Sequence, residues 1–248
     1  MIILTIFFFI TAILYSSVGF GGGSTYLALM LISDIPYYIF PVIALICNII
    51  VVSGNSINFV RSGNINLKLL LPYLIGSIPF AFIGASISLE KDIFEILLFF
   101  VLIIAGVLLL VESKYFNKKD IEINSLPKFI SIFIGSLIGF FSGLVGIGGG
   151  IFLSPVLFLF KAGYPIHITS SASLFILINS IFGIAGQLTK EIVLDEFFNY
   201  WPLFLSVLIG GQVGNYLNIK FLSNKTLALI TSLLIIFVAL RMGYKILS

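Results

Sequence analysis

Long apolar runs cut by short polar breaks occupy nearly the whole chain. They extend over approximately 2–33, 36–60, 67–89, 93–111, 128–160, 164–188, 197–217 and 222–246. The breaks are Arg61-Ser62-Gly63-Asn64, Glu90-Lys91-Asp92, Lys190-Glu191 and Ser223-Asn224-Lys225, with one longer polar stretch from Glu112 to Lys128. Helices crossing the hydrocarbon of a bilayer need about 20 mostly apolar residues, whereas barrel strands show about ten with strict alternation. The runs have the first character and not the second. The pattern predicts an all-α polytopic membrane protein.

Two runs are too long for one simple span. A continuous helix over 2–33 would reach about 48 Å, against about 30 Å of hydrocarbon, and 128–160 is similar. Each is interrupted near its middle by the same phrase. Val18-Gly19-Phe20-Gly21-Gly22-Gly23 returns as Val145-Gly146-Ile147-Gly148-Gly149-Gly150, a shift of 127. Pro36 and Asn58 have partners in Pro165 and Gln187 at a shift of 129, and Pro72 in Pro202 at 130. Four ordered landmarks predict an internal repeat. Residues 1–111 form the first membrane repeat, 112–127 a polar cytoplasmic linker, and 128–248 the second repeat.

Each interrupted run can be read in two ways. As one broken, tilted helix it gives about eight transmembrane helices in two four-helix repeats, with the first and fifth segments broken at the glycines; this is the favoured expectation. As a hairpin of two short segments it gives ten segments and inverted repeats. Lysine and arginine distribution does not separate these readings. Either way nine positive residues fall on one face and four on the other, and the 112–128 loop is placed in the cytoplasm. The termini change sides between the two readings.

Composition removes the soluble alternatives. The 248 residues are 60% hydrophobic and 9% charged, where a soluble domain carries about 25% charged residues. The net charge of +3, from 13 basic and 10 acidic residues, reads as loop topology and not as ligand steering. Nothing in it suggests a nucleic-acid partner; the partner it implies is the lipid bilayer. The single Cys47 excludes an intrachain disulfide and a multi-thiolate metal site. Met1 to Ser17 lacks a basic n-region and reads as a first membrane segment, not a cleaved signal.

The glycine phrase near the start of each half, a downstream proline, a Ser/Thr/Asn patch in the next helix and a basic central loop together resemble the TauE/SafE-type sulfite exporter family. The second half carries the likeness best, in Gly143-Leu144-Val145-Gly146-Ile147-Gly148-Gly149-Gly150, Pro155, Gly163-Tyr164-Pro165 and Thr169-Ser170-Ser171-Ala172. The first is looser, with Ser16-Ser17 before its glycines and Pro41 where the second half has Ser170. The resemblance implies secondary transport of a small sulfur-containing or carboxylate anion, such as sulfite, thiosulfate or sulfoacetate, across the cell membrane, with no prosthetic group.

An anion leaving water must find donors, because an unsatisfied charge in low dielectric is very costly. The spans hold almost no Lys or Arg, so the expected donors are backbone N–H groups at helix starts after the glycines, with their positive dipole ends. Discontinuous helices near the midplane are a recurrent transporter arrangement. The candidate substrate-binding residues are Gly19, Gly21, Gly22, Gly23, Ser24, Asn48 and Asn55 in the first repeat. In the second they are Gly146, Gly148, Gly149, Gly150, Thr169, Ser170, Ser171 and Asn179. No cofactor or metal is expected; a coupling proton or ion is an open partner.

The competing readings are specific. Gly19/Gly23, Gly139/Gly143, Gly146/Gly150 and Gly210/Gly214 also fit the small-xxx-small pattern of close helix packing. A hydrolase would have to combine Ser142 with the lone His167, and a carboxylate relay lacks mid-span acids, since Asp34, Glu95 and Asp195 lie near segment ends. A structural subunit, or a cation transporter using carbonyls at the same breaks, is the alternative.

Overall fold

The computed structural model describes residues 1–33, 35–113, 123, 126–190 and 198–217, with isolated helical positions between 229 and 243. The described helices are α1 (Ile2–Ser16), α2 (Gly23–Leu31), α3 (Phe40–Arg61), α4 (Leu67–Ser86), α5 (Lys91–Ser113), α6 (Lys128–Val145), α7 (Gly150–Leu159), α8 (Pro165–Gln187) and α9 (Trp201–Leu217). A single 3₁₀ turn, Tyr37–Ile39, leads into α3, and the described residues contain no strand. Among the described residues four helices are long and apolar enough to cross a bilayer: Tyr37–Arg61, Leu67–Ser86, Lys128–Val145 and Pro165–Gln187. Large apolar side chains such as Phe129, Ile75 and Phe133 point outward, as they must where the surroundings are acyl chains.

Local sequence sets the starts. Asn66 caps α4 by accepting the Leu69 N–H at 3.2 Å. Pro41 and Pro165 stand in the first turns of α3 and α8, where a missing N–H costs nothing. The starts of α2 and α7, at Gly23 and Gly150, have a left-handed glycine as the preceding residue and no side-chain cap.

Each glycine cluster is the tip of a hairpin. The ring of Phe8 stacks at 4.7 Å on that of Tyr26, and the Tyr15 hydroxyl lies 2.7 Å from that of Thr25. Phe8 is two helical turns before the end of α1, so α2 must run back along it. The far end of α2 returns to the start of α1, where Met1, Leu4, Leu29 and Ile35 border one cavity. Likewise Ile134 and Ile138 of α6 share an apolar groove with Phe152 and Val156 of α7. The favoured expectation of broken helices that continue onward is therefore corrected. Left-handed glycines reverse the chain within a few residues, and the returning helix buries its apolar residues against the outgoing one.

Contacts at the glycine stripes then fix direction. Side chains added at Gly135, Gly139 and Gly143 of α6 would strike the backbone of Tyr73, Ser77 and Ala81 of α4, so the two helices run parallel. Gly210 and Gly214 of α9 lie on Phe9 and Ile13 of α1 in the same manner. In contrast α3 and α8 run antiparallel, with Ser56 beside Ser173 at 3.2 Å and Leu45 against Gly183. α1 thus leaves the face that carries Met1, and α6 leaves the opposite face, which carries Arg61. In the described core α6 therefore runs opposite to α1, α6 packing along α4 and α1 along α9.

Candidate functional site

The two hairpin tips meet in the middle of the bundle. Gly22 and Gly149 adopt φ of 85° and 81°, and Gly19 and Gly146 adopt 86° and 83°, so these two positions of the repeated phrase turn alike, while Gly148 adds a φ of 82° that its counterpart Gly21 does not share. That conformation costs a residue with a Cβ about 1–2 kcal/mol, which is why glycine stands there. The turn leaves the first N–H groups of α2 and α7 without side-chain caps, both helices beginning inside the protein.

Asn48 of α3 joins the tips. Its Nδ2 donates to the carbonyl of Ile147 at 2.9 Å, while its fully buried Oδ1 has no partner. A Cβ added at Gly21 would come within 2.5 Å of that oxygen, and one at Gly23 within 2.7 Å of the Ile147 carbonyl. Gly148 lies against Asn48, Ser180 and Ile176, and Gly150 against Ile176 and the Ala172 carbonyl. Gly21, Gly23, Asn48, Gly148 and Gly150 are therefore one cluster. Ser24 is buried in the first turn of α2 beside it.

The remaining candidates separate by depth. Gly19 sits beside Phe59 and Thr169 toward the Arg61 face, and Gly146 beside Pro41 toward the Met1 face. Gly22 rests on Thr11 and Tyr15 of α1 within its own hairpin, and Gly149 on Ile138 of α6 within its own and on Phe175 of α8. Ser170 bonds the carbonyls of Asn64 and His167 at 2.8 and 3.1 Å, which ties α8 to the α3–α4 loop. Asn179 donates to Phe175 at 2.9 Å and keeps an unpartnered Oδ1. Asn55 Nδ2 and the Ser171 hydroxyl are buried without partners.

Such groups are rare in folded proteins and expensive in lipid surroundings. Asn48, Asn55, Ser171, Asn179 and Ser180 concentrate them on α3 and α8, the pair that brackets the tips. Ser180 is not among the candidates read from sequence; its contact with Gly148 joins residues distant in the chain and leaves no local signal. The tips are close-packed, so the arrangement is a closed one.

Other polar and aromatic groups fall elsewhere. Lys161 is exposed in the turn after α7, with φ of 51°. His167 stacks edge-on to Tyr164 at 5.8 Å near the Arg61 face, whereas Ser142 lies near the other end of α6, so no dyad forms. Trp201 and Tyr164 are exposed at helix starts, where interfacial aromatics belong. Asp34 and Asp195 lie outside the described residues. Among the described residues no group of three or more His, Cys, Asp or Glu could hold a metal.

A helical membrane protein with paired interrupted helices meeting at buried, unpaired polar groups belongs to the transporter class of architectures. The chain belongs to the sulfite exporter TauE/SafE family, whose model matches residues 4–242. It is similar to probable membrane transporter protein y4hK of Sinorhizobium fredii, 28% identical over 96% of both chains. It also resembles probable membrane transporter protein YunE of Bacillus subtilis, 24% identical over 98% of this chain and 97% of that one. A third relative is probable membrane transporter protein MJ0441 of Methanocaldococcus jannaschii, 32% identical over 74% of this chain and 70% of that one. No solved structure matches the chain.

Proposed function

We propose that the protein is a secondary transporter of small sulfur-containing or carboxylate anions, such as sulfite, thiosulfate or sulfoacetate, in the cell membrane. Ten segments form two inverted repeats, 1–111 and 128–248, joined by the cytoplasmic linker 112–127. The observation that carries this reading is the junction of two helix N-termini, at Gly23 and Gly150, beside Asn48 and Ser180. Helix N-termini favour anions through free N–H groups and the dipole, and a pair of them inside lipid replaces the water an oxyanion gives up.

Alternating access follows from the inversion. Parting the first tip from Asn48 would open a route toward one face, and parting the second tip from Ile176 a route toward the other. With the Arg61 face in the cytoplasm, Arg61, Lys68, Lys114, Lys118, Lys119, Lys128, Lys161, Lys220 and Lys225 lie inside, and Lys91, Lys190, Arg241 and Lys245 outside.

The test is flux in proteoliposomes with sulfite, thiosulfate, sulfoacetate and a plain carboxylate, with and without a proton gradient. Saturable flux of one of these anions is the expected result; absence of flux for all four, in protein that is folded and inserted, sinks the reading. A second reading has its own observation. The unpartnered oxygens Asn48 Oδ1 and Asn179 Oδ1 are acceptors, suited to a cation that drives transport or is itself the cargo. Dependence of the flux on a sodium gradient, or sodium flux without any anion, would favour it.

A further inference from the structure

The shift of 129 that pairs Asn58 with Gln187 also pairs Arg61 with Lys190. Each long helix after a hairpin therefore closes on an amide followed three residues later by a base. Because α3 and α8 run antiparallel, the two closures lie on opposite faces. They differ in surroundings. Asn58 donates to Asn215 at 2.9 Å in an exposed position, and Arg61 is exposed.

At the Met1 face the same pair is enclosed. Gln187 and Lys190 border a cavity of about 180 Å³ with Tyr37, Tyr38, Ser88 and Leu144. Lys190 Nζ donates to Gln187 Oε1 at 3.0 Å. Gln187 is 1% exposed, and its Nε2 has no partner. Burial lowers the Lys190 pKa from 10.5 to about 8, and among the described residues no carboxylate borders the cavity. The nearby charged residues on the α4–α5 turn, Glu90, Lys91 and Asp92, are exposed. Among the described residues, a half-buried ammonium is thus served by one neutral oxygen beside an amide with both N–H groups unused, a donor set with no acceptor there.

We propose that Gln187 and Lys190 form an anion-recognition site at the outer mouth, taking a small oxyanion such as a thiosulfate, sulfonate or carboxylate group. The substrate class rests on the transporter reading above. The ammonium supplies charge, the Gln187 amide a directed second donor, and Ser88 with the two tyrosines bounds the opening. Charge-assisted hydrogen bonds of this kind are about twice as strong as neutral ones. The site deals with the anion before or after it meets the hairpin tips, and Asn58 with Arg61 is its more open counterpart inside.

The test is amine labelling of the purified full chain with acetic anhydride at pH 8, read residue by residue by peptide mass spectrometry. Thiosulfate is compared with potassium chloride at equal ionic strength. Thiosulfate at about ten times its Kd should slow labelling of Lys190 about tenfold and leave the exposed Lys91 unchanged. In flux assays Lys190→Met and Gln187→Leu should raise KM about tenfold with kcat little altered, and Lys190→Arg should retain most affinity. Equal labelling of Lys190 in both salts overturns the site. So does faster Lys190 labelling in Glu191→Gln without thiosulfate protection, which would make that neighbouring carboxylate the missing acceptor. Protection of Lys190 in a protein that moves no anion would sink the transporter reading and leave the mouth site standing. Flux without protection would do the reverse.

Discussion

Glycines do two different jobs in this membrane core. On α6, Gly135, Gly139 and Gly143 lie in ordinary helix and touch the backbone of Tyr73, Ser77 and Ala81. Their role is to have no side chain, so that parallel helices approach to backbone contact and gain packing that lipid would not supply. At the hairpin tips Gly22 and Gly149 have positive φ, precede uncapped helix starts, and belong to clusters that meet at Asn48 and Ser180. One set is a smooth surface and the other a reversal. The spacing small-xxx-small fits Gly139/Gly143 of the seam and Gly19/Gly23 and Gly146/Gly150 of the tips alike, which is why spacing alone does not tell a seam from a site.

Substitutions should separate them. The largest effect is expected at the seam: Gly139→Leu forces α4 and α6 apart and should prevent a monodisperse, folded protein in detergent, as read by size-exclusion chromatography. At the tip, Gly22→Leu or Gly149→Leu should leave the protein inserted while lowering flux about 100-fold, the scale of a small misplacement at a working site. If the tip variants collapse as Gly139→Leu does, the distinction fails. Next comes Asn48→Ala, which frees the Ile147 carbonyl and removes the orphan oxygen together; flux should fall about tenfold with little change in melting temperature.

Smaller still is Ser56→Ala with Ser173→Ala. Their pairing between α3 and α8 should be worth about 0.6 kcal/mol, measured by a double-mutant cycle of unfolding. The smallest effect is a pH trend. Lys190 binds its proton less tightly folded than unfolded, so the unfolded chain holds more protons between about pH 8 and 10.5. Stability should therefore rise with pH across that window, and Lys190→Met should flatten the rise. A trend unchanged in that variant would assign it to other groups.

Much of the fold was legible because lipid imposes simple rules. Run lengths marked α3, α4, α6 and α8, and the doubled Val-Gly-x-Gly-Gly-Gly marked where α1 and α6 would end. Of the candidate residues, Gly21, Gly23, Asn48, Gly148 and Gly150 do come together. Ser170 does not join them; it fastens a loop, and a hydroxyl early in a helix looks the same in sequence whether it meets a carbonyl or a cavity. Gln187 was legible as a repeat partner of Asn58, but its enclosure with Lys190 depends on Tyr37, Ile87 and Leu144, which are distant in the chain.

The sequence by itself determined that the chain lives in a membrane, that one glycine phrase recurs in it, and where it must bend. Those follow from transfer free energy and from the conformations that only glycine adopts cheaply. The direction after each bend was decided by the tertiary structure. A helix that continues and one that folds back bury the same apolar residues from water, and both distributed the positive charges nine to four. Contacts such as Phe8 with Tyr26 and Asn48 with Ile147 chose between them. Packing partners, not hydropathy, set α6 opposite to α1 and brought the two tips together.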